Sequence, residues 1–244
     1  MTRGLVYVPA DRPHPLLSAA PGDLVANPSP APPWIIVDHD RSSVIVTSWP
    51  GRLLLVDIVE RGSMENVRAD AHYTRAIAVR VIEEHDPAQL FGPHGAAVVS
   101  VIERARHLTI ADAHVLVAAD AAEAARANSD AWNAWLVAEK RTTSIHAGED
   151  HADTLAIPDR GRAGSPIYGG FMVISSALRR RAIEISGDAA LYLDDEGDQC
   201  LAAPWRTALG GLLYAAMALG APELVSVDDR AHLLRAWNAL TSGR

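Results

Sequence analysis

One cysteine, one lysine and two phenylalanines are all that this 244-residue chain holds of those residue types. With Cys200 alone, neither an intramolecular disulfide nor a cysteine metal cluster can form, and a reducing compartment fits best. With Lys140 alone, arginine supplies the remaining basic residues. A mechanism that needs a Schiff-base or phosphate-loop lysine therefore has one candidate, at the end of an expected helix with no glycine-rich loop before it. So little lysine beside abundant Ala, Arg, Asp and Val reads as a high-GC bacterial genome. Long apolar runs are also missing. Ala208 to Ala221 is too short to span a bilayer, and the start, MTRGLVYVPADRPHPLL, is interrupted by prolines and charges before a signal-peptide core develops. A soluble, cytoplasmic protein is expected.

Charge of one sign is short as well. The 22 basic residues against 30 acidic ones leave a formal charge of -8 and a pI near 5.6. That balance disfavours the phosphate attraction on which nucleic-acid binders and anionic-membrane binders depend, although Arg179, Arg180 and Arg181 form a local basic run. What is present is apolar material, 49% of the residues, enough for a sizeable core.

Eight prolines between Pro9 and Pro33 exclude helix there, because each fixes φ and removes a donor. Residues 1–33 read as a proline-rich arm packed on a single compact domain, 34–244. Three β-type runs follow, Trp34 to Asp38, Val44 to Trp49 and Leu53 to Val59, separated by turn chemistry such as Pro50-Gly51. Tyr73 to Glu83 alternates as a fourth. Gly95 to Arg141 is helical, with a second helix opening near Thr109 and a fresh N-cap near Asn128-Ser129-Asp130. Gly170 to Ser175 and Ala190 to Leu193 read as strands, and Asp195 to Asp198 as a hairpin turn into Cys200 to Ala203. Two helices close the chain, Trp205 to Leu219 and Val227 to Leu240. The expected class is α+β: an N-terminal antiparallel meander, a helical middle and a mixed strand and helix C-terminal part.

Periodicity stops over a long polar loop at 141–168. Connections of that length tend to be lids, binding loops or disordered segments. His151 and Asp150 are the catalytic candidates; His146, Glu149, Arg160, Arg162 and Tyr168 are the binding candidates. His146 and His151 lie five apart across Gly148, which is not the four-residue spacing of a zinc helix, so no metal and no cofactor is expected. Arg160 and Arg162 suit a bidentate grip on a carboxylate or phosphate. Gly92-Pro93-His94-Gly95 opens a helix without completing a phosphate loop. Asp194 and Asp195 read as a polar hairpin tip, and Cys200 as a small hydrophobe. Asp38, His39 and Asp40, at a predicted strand end, resemble the metal-binding acidic motif of nucleotide-sugar glycosyltransferases; the likeness is a few residues long and assigns no family.

Two functions fit. The first is a binding or regulatory protein whose acidic surface and aromatics engage a protein partner. The second is a small-molecule enzyme with its site under the 141–168 loop, His151 serving as acid or base and Arg160 or Arg162 holding a small anionic ligand. Neither requires nucleic acid or membrane, and both leave room for a homo-oligomer.

Overall fold

The structure is a computed structural model and describes residues 2–27, 31–67, 71–120, 122–138 and 166–242. Its class is α+β, with antiparallel strands first and helices after. The chain divides into two compact units, 1–90 and 91–244.

The first unit holds five strands: β1 (Arg3–Pro9), β2 (Leu24–Ala26), β3 (Ile35–Asp38), β4 (Gly51–Arg61) and β5 (Tyr73–His85). β1 pairs with β4 from Arg3 opposite Asp57 to Pro9 opposite Gly51, and β4 pairs with β5. β5 pairs with β3, and β3 returns to β1 at Leu5 opposite Asp38, so the ladder closes on itself. The enclosed side chains include Val6, Val8, Leu16, Val37, Leu54, Val56, Val79 and Val81. Their alternation with outward residues is the period of two that a half-buried strand requires.

Two of these strands lie within the first 33 residues, in the stretch read as an arm. β2 and β3 also share one flank of β5. Leu24 to Ala26 lie opposite Arg80 to Ala78, the Asn27 amide donates to the Ile77 carbonyl at 2.7 Å, and Ile35 then takes the place opposite Ala76. One ladder is thus broken by an excursion between Asn27 and Ile35. The Asn27 side-chain amide donates to the Pro33 carbonyl and ties its two limbs. Beside it the Arg75 guanidinium lies 4.4 Å from the Trp34 ring centroid, a cation–π contact. Gly62 leaves room for that indole, for a Cβ there would stand 2.9 Å from Trp34 Cδ1.

Residues 44–49 are not a strand. Asp40 first turns the chain through a short 3₁₀ segment, Arg41–Ser43. Val46 and Trp49 are then buried from non-strand backbone, and the Tyr7 hydroxyl donates to the Ser48 carbonyl at 2.7 Å.

The second unit contains α1 (Gly95–Arg106), α2 (Ile110–Ala118), α3 (Ala122–Ala138), α4 (Pro166–Ser186), the hairpin β6 (Leu191–Leu193) and β7 (Gln199–Leu201), α5 (Trp205–Gly220) and α6 (Val227–Ser242). α5 touches the other five helices. Its run of Ala and Gly makes that possible, since short side chains let neighbours approach on every side. Trp132 and Trp135 of α3 and Phe171 of α4 pack edge to face, with Trp132 centred 6.0 Å from Trp135 and 5.4 Å from Phe171.

Two sequence expectations are corrected here. Gly170 to Ser175 is helix within α4, because Ile167, Phe171, Ile174 and Leu178 recur at helical spacing and are buried. Gly170 is there for close approach, as a Cβ would come within 2.6 Å of Val98. The break near Asn128 is absent too. α3 runs through it, with Asn128 on the buried face and Arg126 paired to Asp130 one turn on at 2.8 Å.

Candidate functional site

His146, Glu149, Asp150, His151, Arg160 and Arg162 lie outside the described residues. Tyr168 is described; it sits half-buried in the first turn of α4. His94 precedes α1 without capping it, and its Nε2 stands 4.0 Å from the Glu223 carboxylate. An acid at that point opposes a bound anion. Asp194 accepts from the Glu196 and Asp198 amides at 3.0 and 2.8 Å, closing the β6–β7 turn. Cys200 points its thiol at Asp194, and desolvation together with that carboxylate raises the thiol pKa. A thiol held protonated is a poor nucleophile.

Two features remain, one in each unit. In the first unit, β3 ends at Asp38 opposite Tyr73, and His39 continues the ladder by donating its amide to the His72 carbonyl at 2.8 Å. The His39 Nε2 lies 2.8 Å from the Oγ1 of buried Thr74, so its imidazole is fixed at the strand end. Asp40 accepts from Ser42 Oγ at 2.5 Å and from Ser43 N and Oγ at 2.9 Å each. His72 Nδ1 stands 3.7 Å from its other oxygen.

These surroundings separate the two carboxyls. Burial, then the nearby charge of Asp40, pushes Asp38 up to about 7. The Ser42 hydroxyl, with Ser43 and His72, holds Asp40 below its ordinary value. A carboxylic acid that keeps its proton near neutral pH beside one that does not is an arrangement that can move a proton. Among the described residues, no three His, Cys, Asp or Glu side chains are grouped to hold a metal ion, so the likeness of Asp38-His39-Asp40 to a metal-binding acidic motif gains no third ligand. Sequence reading picked out the pair as strand-end acids; their opposite titration depends on burial that no spacing reveals.

In the second unit, α2 carries IADAHVLVA, and of its apolar residues only Ala113 and Leu116 are buried. They face α5 and α6, the helices that α2 touches most. At 100° per residue, Ala111 and Ala118 point directly away from that buried pair, flanked by His114 and Val115, with Ile110 and Val117 on one shoulder. Ile110 is 40% exposed, Val115 39% and Val117 38%. The helix is firmly seated nonetheless. The Thr109 hydroxyl accepts from the Asp112 amide and the Asp112 carboxylate from the Thr109 amide, each at 3.1 Å, while Arg104 grips Asp112 at 2.9 Å. Such a helix holds apolar side-chain area on a rigid frame that another surface could cover.

No family model, no curated protein and no solved structure matches this chain. Among the described residues, no helix is long and apolar enough to cross a membrane.

Proposed function

We propose that the chain is a binding protein that engages a protein partner through the outward face of α2. The observation that carries this reading is the mismatch on that helix: a capped, salt-bridged helix with two buried side chains turns Ile110, Val115 and Val117 to solvent. Apolar side chains left exposed on a rigid helix gain free energy when a partner covers them, about 25 cal/mol per Å² of apolar area removed from water. Affinity capture from a lysate of the host, with the full chain and with Val117→Asp as baits, tests it. Proteins retained by the native chain and lost with the variant, at unchanged helix content and melting temperature, are expected. Identical retention by both baits would overturn the reading.

The opposed titration of Asp38 and Asp40 supports a second reading, proton transfer at the end of β3 with Asp38 as the acid. Its test is a carbon-detected titration of the Asp38 carboxyl. A midpoint near the ordinary aspartate value removes the basis for that reading.

A further inference from the structure

The ladder of the first unit closes unevenly. β1 pairs with β4 along all 7 of its residues, from Arg3 to Pro9, but with β3 only at Leu5 opposite Asp38. Hydrogen bonds at the strand ends fix which way each amide points. The Ile58 amide donates to the Thr2 carbonyl and the Ala10 amide to the Pro50 carbonyl, both at 2.9 Å, so along this continuous register the even residues of β1 bond to β4 and the odd ones face β3. The His39 amide donates to the His72 carbonyl, so the odd residues of β3 bond to β5 and the even ones face β1. Leu5 and Asp38 therefore meet with amides and carbonyls turned toward each other, and the pairing does not extend to Tyr7 and Ile36. The approach is close, for a Cβ on Gly4 would stand 2.5 Å from the Asp38 carbonyl oxygen.

The residue at that closure carries a half-buried carboxyl. Among the described residues no hydrogen-bond donor reaches it. The charged and titratable groups around it are engaged with one another. On β1, Arg3 is held by Asp57 at 3.0 Å. On β5, Tyr73 stands opposite, and Arg75 lies on Trp34 and donates to the Ser63 and Glu65 carbonyls. His39 is bonded to Thr74, and His72 lies against Asp40. Asp40 is the charge that acts on Asp38, in the same sense as burial. An ionised Asp38 thus stands unpaired beside a second carboxylate, and water is the partner that relieves it. Parting Leu5 from Asp38 admits that water and breaks a single residue pair.

We propose that this closure is a pH-sensitive latch: the neutral Asp38 carboxyl keeps β1 and β3 together, and its ionisation releases them while β1 stays on β4 and β3 on β5. The inference shares with the proton-transfer reading the premise that Asp38 titrates in the neutral range, and adds a movement of the backbone. The closed ladder holds the proton more tightly than the open one. Opening therefore becomes easier from the ordinary aspartate value, about 4, up to about 7 and changes little above that.

Hydrogen exchange of the full chain, read amide by amide by NMR from about pH 4.5 to about pH 8 and corrected for intrinsic rates, is the test. The Leu5 and Asp38 amides are expected to lose protection by about tenfold or more between about pH 5 and about pH 7, then to level off. Val6, whose amide bonds to β4, and Val37, whose amide bonds to β5, are controls on the same two strands and should keep theirs. Asp38→Asn should abolish the pH dependence at Leu5, and Asp40→Asn, which removes the neighbouring charge, should reduce it. Protection at Leu5 that does not change with pH overturns the latch, as does a loss shared equally by Val6 and Val37 or one that persists in Asp38→Asn. A carboxyl midpoint near 7 with unchanging protection at Leu5 would overturn the latch alone and leave the proton-transfer reading standing, whereas a midpoint at the ordinary aspartate value overturns both.

Discussion

Asp38 and Asp40 stand two residues apart at one strand end, and the fold drives their carboxyls apart, the first up to about 7 and the second below its usual value. For Asp38 the folded state holds its proton more tightly than the unfolded chain. Its contribution is therefore complete below the ordinary aspartate pKa and is lost as pH rises through about 7. Asp38→Asn should match the native melting temperature near pH 4 and exceed it increasingly up to pH 8. Asp40 has the opposite sign, so Asp40→Asn should be destabilising at neutral pH, with the deficit vanishing in acid. Thermal melts of both variants across pH check this, and a gap for Asp38→Asn that does not grow with pH counts against it.

Arg52 concentrates more hydrogen bonds than any other side chain described in the first unit. Its guanidinium donates to the carbonyls of Leu16, Leu17 and Ala19 at 3.3, 2.8 and 2.9 Å and forks onto Glu84 at 2.9 and 2.6 Å. It binds the turn after β1 to the sheet. Lysine keeps the charge but not the planar fork, so Arg52→Lys should lose most of what Arg52→Ala loses, about 2–3 kcal/mol in chemical denaturation. A lysine variant as stable as the native protein would show that charge alone suffices.

Gly220 and Gly210 share α5 but not its surroundings. A Cβ on Gly220 would come to 2.5 Å from Ile167 and 2.6 Å from Val98, whereas at Gly210 its nearest neighbours are Tyr214 ring atoms at 3.7 Å. Gly220→Ala should cost about 1–3 kcal/mol through overpacking. Gly210→Ala should be neutral or gain up to about 1 kcal/mol from helix propensity. Opposite shifts of the melting temperature in the two variants are the expected outcome.

Trp132 is 1% exposed and meets two other aromatic rings edge-on. Trp132→Ala should destabilise by about 3–5 kcal/mol, and Trp132→Phe by clearly less because a ring remains to pack. Equal losses would mean that the rest of the indole, and not the aromatic contact, supplies the stability.

Alternation in Leu53–Val59 and Tyr73–Glu83, and helical spacing after Gly95, were legible because each element keeps one face buried, and the burial follows the period. Gly170–Ser175 misled because a β-branched run beside two glycines has strand composition, while the helical spacing of Ile167, Phe171, Ile174 and Leu178 shows only over a window that extends past both ends of the run. β1 went unread behind the prolines that follow it, yet it pairs with β4 along its whole length. Of the candidate sites, the acids at 38 and 40 were visible as residue types. The outward face of α2 was not, because a short apolar helix gives no sign of which apolar residues its neighbours leave uncovered.

The interrupted ladder on β5 separates length from register. Ala26 lies opposite Ala78 and Ile35 opposite Ala76, with the Asn27 amide bonded to the intervening Ile77 carbonyl, so β5 passes from one partner strand to the next without skipping a position for the stretch between Asn27 and Ile35. Related chains could therefore lengthen or shorten that stretch and still place Asp38 opposite Tyr73. Within this unit it is the natural point for evolution, or an engineer inserting a peptide tag, to change the chain without moving the acids at the far end of the same strand.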